Sequence, residues 1–200
     1  MFRAPLHCAG LMIGLPCFGG MVGAPTLRGL LETQRALISL GVPVTCVTVS
    51  HESLITRARN TVVAHFLASD SSHLLFIDAD IGFGADSVLR LLAIDRAVAG
   101  GMYRRKRADR ADWVVWWPEG VSEARRDPAT GALEVAALGA GFLLLRRDAV
   151  ERMVGAYPGA RCTADPDEGP EGGWRDHLFA LFDTGIEAGT GRYLGEDRVF

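Results

Sequence analysis

A chain of 200 residues with 48% apolar and 22% charged residues is long enough to bury one sizeable core, and it reads as a single domain over 1–200. Its formal net charge of −3, with basic residues dispersed apart from the run Arg104-Arg105-Lys106-Arg107, argues against a nucleic-acid partner. Cys8, Cys17, Cys46 and Cys162 form no CxxC pair and have no His at a zinc-like spacing, which excludes a zinc knuckle and a disulfide scaffold and predicts reduced, mostly buried thiols.

Arg3 ahead of an apolar stretch that ends in small residues near Gly23-Ala24 has the outline of a signal peptide. Gly14, Pro16, Gly19 and Gly20 interrupt that stretch, so a buried strand over 11–15 running into a turn is the better reading, and the expected location is cytoplasmic. No apolar segment approaches the about 20 residues needed to span a bilayer.

Pro25 is suited to open a helix whose apolar side is Leu27, Leu30, Leu31, Ala36, Leu37 and Leu40, with Gly41 ending it. A strand over 42–49 follows. The polar loop Ser50-His51-Glu52-Ser53 then leads, with Ser53 as N-cap, into a helix whose Leu54, Ala58, Val62 and Phe66 share one face. Leu74-Leu75-Phe76-Ile77 is a continuous apolar run after the turn 69–72, as expected for a central strand covered on both sides, and it stops at Asp78. A third helix from Asp86-Ser87 through Ile94 and a strand over 97–102, with Gly100-Gly101 inside it, complete a nucleotide-binding half of about 8–103.

The less regular half, about 104–200, holds expected strands over 113–117 and 133–145, joined by the turn Asp127-Pro128-Ala129-Thr130-Gly131, and a helix over 148–154. The breaker-rich stretch 158–173 reads as a mobile surface loop. Alternating strands and helices make the fold class α/β, with a mostly parallel sheet flanked by helices.

Asp78-Ala79-Asp80 stands at the carboxyl end of the most apolar strand, where open α/β sheets put their ligand sites. Two carboxylates one residue apart can both reach a hard cation, and Mg²⁺ or Mn²⁺ needs only one or two of them when phosphate oxygens complete the shell. The plain alternative is that one Asp caps a turn and the other is solvated.

The segment His73-Leu74-Leu75-Phe76-Ile77-Asp78-Ala79-Asp80-Ile81 resembles the DxD segment of bacterial and phage family 2-like glycosyltransferases of the GT-A fold. The likeness extends to Glu52-Ser53-Leu54-Ile55 with Ala58-Arg59-Asn60, to Gly139-Ala140-Gly141-Phe142, and to Tyr193-Leu194-Gly195-Glu196-Asp197. It implies a GT-A-type, Rossmann-like domain that transfers a sugar from a nucleoside-diphosphate donor to a glycan, lipid or protein hydroxyl. It also implies Mn²⁺ or Mg²⁺ at Asp78 and Asp80, with Asp80 the direct ligand and Asp78 nearer the ribose or a metal-bound water. Ser53, Arg59 and Asn60 fall to the donor nucleotide, and Asp197, beside Glu196, becomes the base that deprotonates the acceptor.

Each site residue has a plainer role open to it. Arg59 could contact the nucleotide or pair with a neighbouring acid on the surface, and Glu196-Asp197 could simply complement a helix N-terminus. Gly139 and Gly141 either let a sugar approach the backbone or permit tight packing. Trp113, Trp116 and Trp117 offer stacking faces, with at least one expected in the core, and Arg104–107 is a phosphate holder or a solvated loop. Relatives of this kind continue past the Glu-Asp pair and can supply a His ligand there. The resemblance therefore also carries the expectation of a C-terminally shortened, non-catalytic binding domain. A third reading is a phosphohydrolase with Asp78 as nucleophile and Asp80 as acid or base, weakened by Gly82 two places beyond Asp80.

Overall fold

The uninterrupted apolar runs of β1 (Leu11–Cys17) and β3 (His73–Ile77), buried at every position, make these the centre of the sheet. The computed structural model describes residues 6–105, 112–120, 123–164 and 172–200. Between the two strands run α1 (Ala24–Ser39), β2 (Val44–Ser50) and α2 (Ile55–Leu67); α3 (Ala85–Ile94) and β4 (Val98–Gly100) follow. The second half contains β5 (Val115–Trp116), β6 (Ala137–Leu138), β7 (Phe142–Arg146), α4 (Arg147–Ala156), β8 (Gly185–Ile186), β9 (Tyr193–Leu194) and α5 (Glu196–Val199).

Five strands form the main sheet in the order β2-β1-β3-β7-β4. β1 lies parallel to β2 and β3, while β7 runs antiparallel to both β3 and β4, so the sheet is mixed. Alternating side chains divide the core in two. Ile13, Leu15, Leu75, Ile77 and Leu144 pack beneath α1 and α3, and Met12, Leu74, Phe76, Leu143 and Leu145 beneath α2 and α4. The domain is thus an α/β layer structure flanked by helices on both faces.

Several expectations change. The Leu-rich side of α1 packs only in part: Leu37 is buried and Leu30 lies against the core, but Leu27, Leu31 and Leu40 are exposed, and Thr26, Gly29 and Thr33 complete the buried stripe. A Cβ at Gly29 would sit 2.6 Å from the Phe83 carbonyl oxygen, so a small-residue stripe lets α1 approach the 83–84 loop. On α2 the expected face is largely the packed one, with Ala58, Val62 and Phe66 buried and Leu54 alone exposed, while Arg59, Asn60 and Val63 are buried beside it. Ser53 does not cap α2. Leu54 occupies the cap position without a side-chain cap, and Glu52 fixes the entry to the helix by accepting from the Leu54 N–H at 2.8 Å and clamping Arg57.

The stretch 133–145 is not one strand. It divides into β6 and β7 around Gly139-Ala140-Gly141, and only β7 joins the main sheet. Within 158–173, residues 158–160 form a short 3₁₀ turn and Arg161 bridges to Phe179, while 165–171 lie outside the described residues. Cys8 and Cys17 are buried, but Cys46 and Cys162 are exposed, and all four thiols are free. Among the described residues, no helix is long and apolar enough to cross a membrane.

Candidate functional site

α2 lies unusually close to the sheet. A Cβ at Gly14, in the middle of β1, would meet Val62 Cγ1 at 2.2 Å, so only glycine admits the helix at this depth. One turn before Val62, Arg59 is thereby carried over the sheet, where its guanidinium lies 5.6 Å from the Phe76 ring centroid and 6.0 Å from that of Phe182. Phe200 stacks on Phe182 with centroids 4.0 Å apart. Arg59 is 3% exposed, so it is a buried cation and not a surface partner.

That cation collects acceptors from three parts of the chain. Its Nη2 donates to Asp78 Oδ1 at 3.0 Å, its Nη1 donates to the Ala140 carbonyl at 3.1 Å, and its Nε lies 3.5 Å from Glu196 Oε1. The DxD segment and the Glu-Asp pair, far apart in sequence, therefore meet on one guanidinium. A planar fork with several N–H donors is suited to such branching, which a lysine could not reproduce.

The turn after β3 is fixed from two sides. The Asp78 N–H continues the ladder by donating to the Gly141 carbonyl at 2.9 Å. The Ala79 carbonyl accepts from the Gly23 N–H at 2.7 Å and from Thr26 Oγ1 at 3.1 Å, which ties the DxD turn to the start of α1. Asp78 remains 31% exposed at its side chain, so its carboxylate opens outward from the Arg59 contact.

Tyr103 had no signature in the sequence, yet its hydroxyl accepts the Gly141 N–H at 3.0 Å. A Cβ at Gly139 would lie 2.3 Å from that oxygen, and one at Gly141 would lie 2.5 Å from Asp78 Oδ2. The two glycines thus serve close packing by Tyr103 and Asp78. Burial above all pushes the Tyr103 phenol up to about 12, with Asp78 and Asp197 adding to the shift, so it stays protonated at neutral pH.

Glu196 and Asp197 open α5, a four-residue helix with Gly195 ahead of it. Burial raises the Asp197 carboxyl above its ordinary value, the neighbouring Glu196 charge raises it further, and Arg59 opposes both. Asp197 also lines a cavity of about 1660 Å³. Asp78 and Asp80 do not line it, so this cavity adjoins the Glu-Asp end of the site alone.

Other predicted residues have different places. Asn60 is a clamp on the backbone: its Nδ2 donates to the Phe182 carbonyl at 2.9 Å, and the Phe182 N–H donates to its Oδ1 at 2.8 Å. Its amide is thereby committed to holding the 178–183 segment. Ser53 is exposed in the loop before α2. The Trp116 ring has Arg105 at 5.3 Å and Arg198 at 5.2 Å from its centroid, whereas Trp113 and Trp117 are exposed. Of the basic run, Lys106 and Arg107 lie outside the described residues.

Among the described residues, no three His, Cys, Asp or Glu side chains converge as a metal cage. A cation here would rely on Asp78, Asp80, water and ligand oxygens, a donor set that suits Mg²⁺ or Mn²⁺ bound with a diphosphate. The chain matches no family model and none of the curated proteins.

Proposed function

We propose that the protein is a metal-dependent glycosyltransferase of the GT-A type, moving a sugar from a nucleoside-diphosphate donor to a hydroxyl acceptor. The observation that carries this reading is the shared guanidinium: Arg59 ties Asp78 of the DxD turn to Glu196 of the Glu-Asp pair. Two acidic motifs with complementary tasks are thus held side by side at the carboxyl end of β3, the usual ligand edge of an α/β sheet.

In this reading Asp78 and Asp80 hold Mg²⁺ or Mn²⁺, which when bound neutralises the charge that develops on the departing diphosphate. Arg59 fixes the orientation of Asp78 and offsets the negative charge of the carboxylates around it. Asp197 takes the acceptor proton. A carboxylate whose pKa is raised by burial is a stronger base than an exposed one, which suits that task. The phosphohydrolase reading is weaker, because an Asp78 oxygen engaged by a buried guanidinium is a poorer nucleophile.

Calorimetric titration of UDP and GDP, with and without Mn²⁺, tests the reading on the wild type and on Asp80→Ala. Metal-dependent binding that disappears in the variant is expected. If neither nucleotide binds at millimolar concentration, the transferase reading fails.

A further inference from the structure

The cavity beside Asp197 has a composition and size that a sugar alone does not explain. At about 1660 Å³ it exceeds the roughly 300–1,000 Å³ usual for small-molecule sites. Its walls include Val98 and Met102 from the sheet edge, Leu138 from β6, Met153 and Tyr157 from α4 and the residue just past it, and Phe200. Val98, Met102 and Tyr157 are 47%, 49% and 61% exposed, so apolar side chains left open to solvent converge on this one trough. Among the described residues β4 is the last strand of the main sheet, with no further strand to cover this side.

The charges along the cavity largely offset one another. Arg96 meets Asp127 at 2.6 Å and Arg125 faces Glu134 at 3.7 Å, which leaves Arg126, whose guanidinium donates to the Gly131 carbonyl at 3.0 Å, against the carboxylates of Asp183 and Asp197. Such a lining supplies few of the hydrogen bonds that the many hydroxyls of a glycan require, and it favours hydrocarbon. Asp197, a carboxylate among these apolar walls, is suited to meet a polar head.

We propose that the acceptor is an amphiphile, a hydroxyl compound whose long apolar chain lies in this cavity with its polar head at Asp197. The assignment deepens the transferase reading and rests on it for the role of Asp197. Burial of the chain against Val98, Met102, Met153 and Tyr157 supplies the affinity, and contact of the head with Asp197 sets its register.

The test is titration of hexyl, octyl and decyl β-glucoside, each below its micellar concentration, with glucose as control. It is run on the wild type, on Val98→Asp, and on Tyr157→Glu, the last lying outside the sheet. Saturable one-to-one binding is expected to tighten about three- to fourfold per added methylene. Glucose should give no binding, and both variants should lose about tenfold or more while Mn²⁺-dependent UDP affinity stays unchanged. Affinity that ignores chain length, binding that survives both substitutions, or preference for glucose overturns the proposal. Chain-length dependence with no UDP binding supports the amphiphile site and removes the transferase reading, so the two ideas fail separately.

Discussion

Arg59 Nη2 reaches Asp78 Oδ1 at 3.0 Å from a side chain only 4% exposed, whereas the Asp78 side chain is 31% exposed. The pair is therefore asymmetric, with its cation locked in the core and its carboxylate facing outward. Removing the cation leaves the Asp78 carboxylate and the Ala140 carbonyl without their donor and Glu196 without its ion-pair partner.

Arg59→Met is expected to destabilise the fold by about 2–3 kcal/mol, below the ~3–5 kcal/mol of a fully buried pair because water reaches Asp78. Arg59→Lys should recover only part of this, since one ammonium cannot serve Asp78, Ala140 and Glu196 in their present directions. Urea denaturation of the three proteins checks the order. Equal stability of wild type and Arg59→Met would show that the contact contributes nothing.

Asn60→Ala should cost about 2–4 kcal/mol, because the buried Phe182 N–H and carbonyl both lose their partner. Its Mn²⁺-dependent UDP affinity should stay at the wild-type value, measured by calorimetry at a temperature where both proteins are folded. A loss of affinity without a loss of stability would return Asn60 to the nucleotide.

Gly141→Ala introduces a methyl 2.5 Å from Asp78 Oδ2 and 2.8 Å from the Tyr103 hydroxyl, so the carboxylate must move. We expect UDP affinity to fall about tenfold or more. Tyr103→Phe removes only the acceptor for the Gly141 N–H and should cost about 1–2 kcal/mol of stability with a smaller effect on affinity. The reverse order of affinities would mean that the Tyr103 hydroxyl itself touches the ligand.

Asp197 gives a pH dependence of definite sign. Its carboxyl titrates above the ordinary 3.8 in the folded chain, so the native state holds the proton more tightly than the unfolded state. Its contribution to stability is therefore greatest below 3.8 and declines as pH rises through the folded value. Asp197→Asn should be more stable than wild type at neutral pH and should lose this decline, while any sugar transfer disappears. Thermal melts across pH 3 to 8, a range of about five units around the carboxylate region, read the difference directly.

Much of the first half, about 8–103, was legible from residue order. The run Leu74–Ile77 has no polar position to expose, so it could only be a covered strand, and its arrest at Asp78 located the DxD turn at a strand end. Helices beginning near Pro25 and Asp86 followed from terminal signals that act within a turn of the chain. Hydrophobic spacing held on α2, where Ala58, Val62 and Phe66 are buried, and failed in part on α1, where Leu27 and Leu31 are exposed and Gly29, which carries no hydrophobic signal, marks the close contact.

Residue types and order by themselves determined the α/β class, the central strands and the position of Asp78 and Asp80, because these depend on local periodicity and on where apolar runs stop. Tertiary structure alone decided that β7 enters the sheet antiparallel, that Arg59 is buried between Asp78 and Glu196, that Asn60 clamps Phe182, and that Tyr103 seals Gly141. Those arrangements join residues tens of positions apart. A polar side chain's partner is set by which elements the close approach at Gly14 brings together, and no spacing along the chain encodes it.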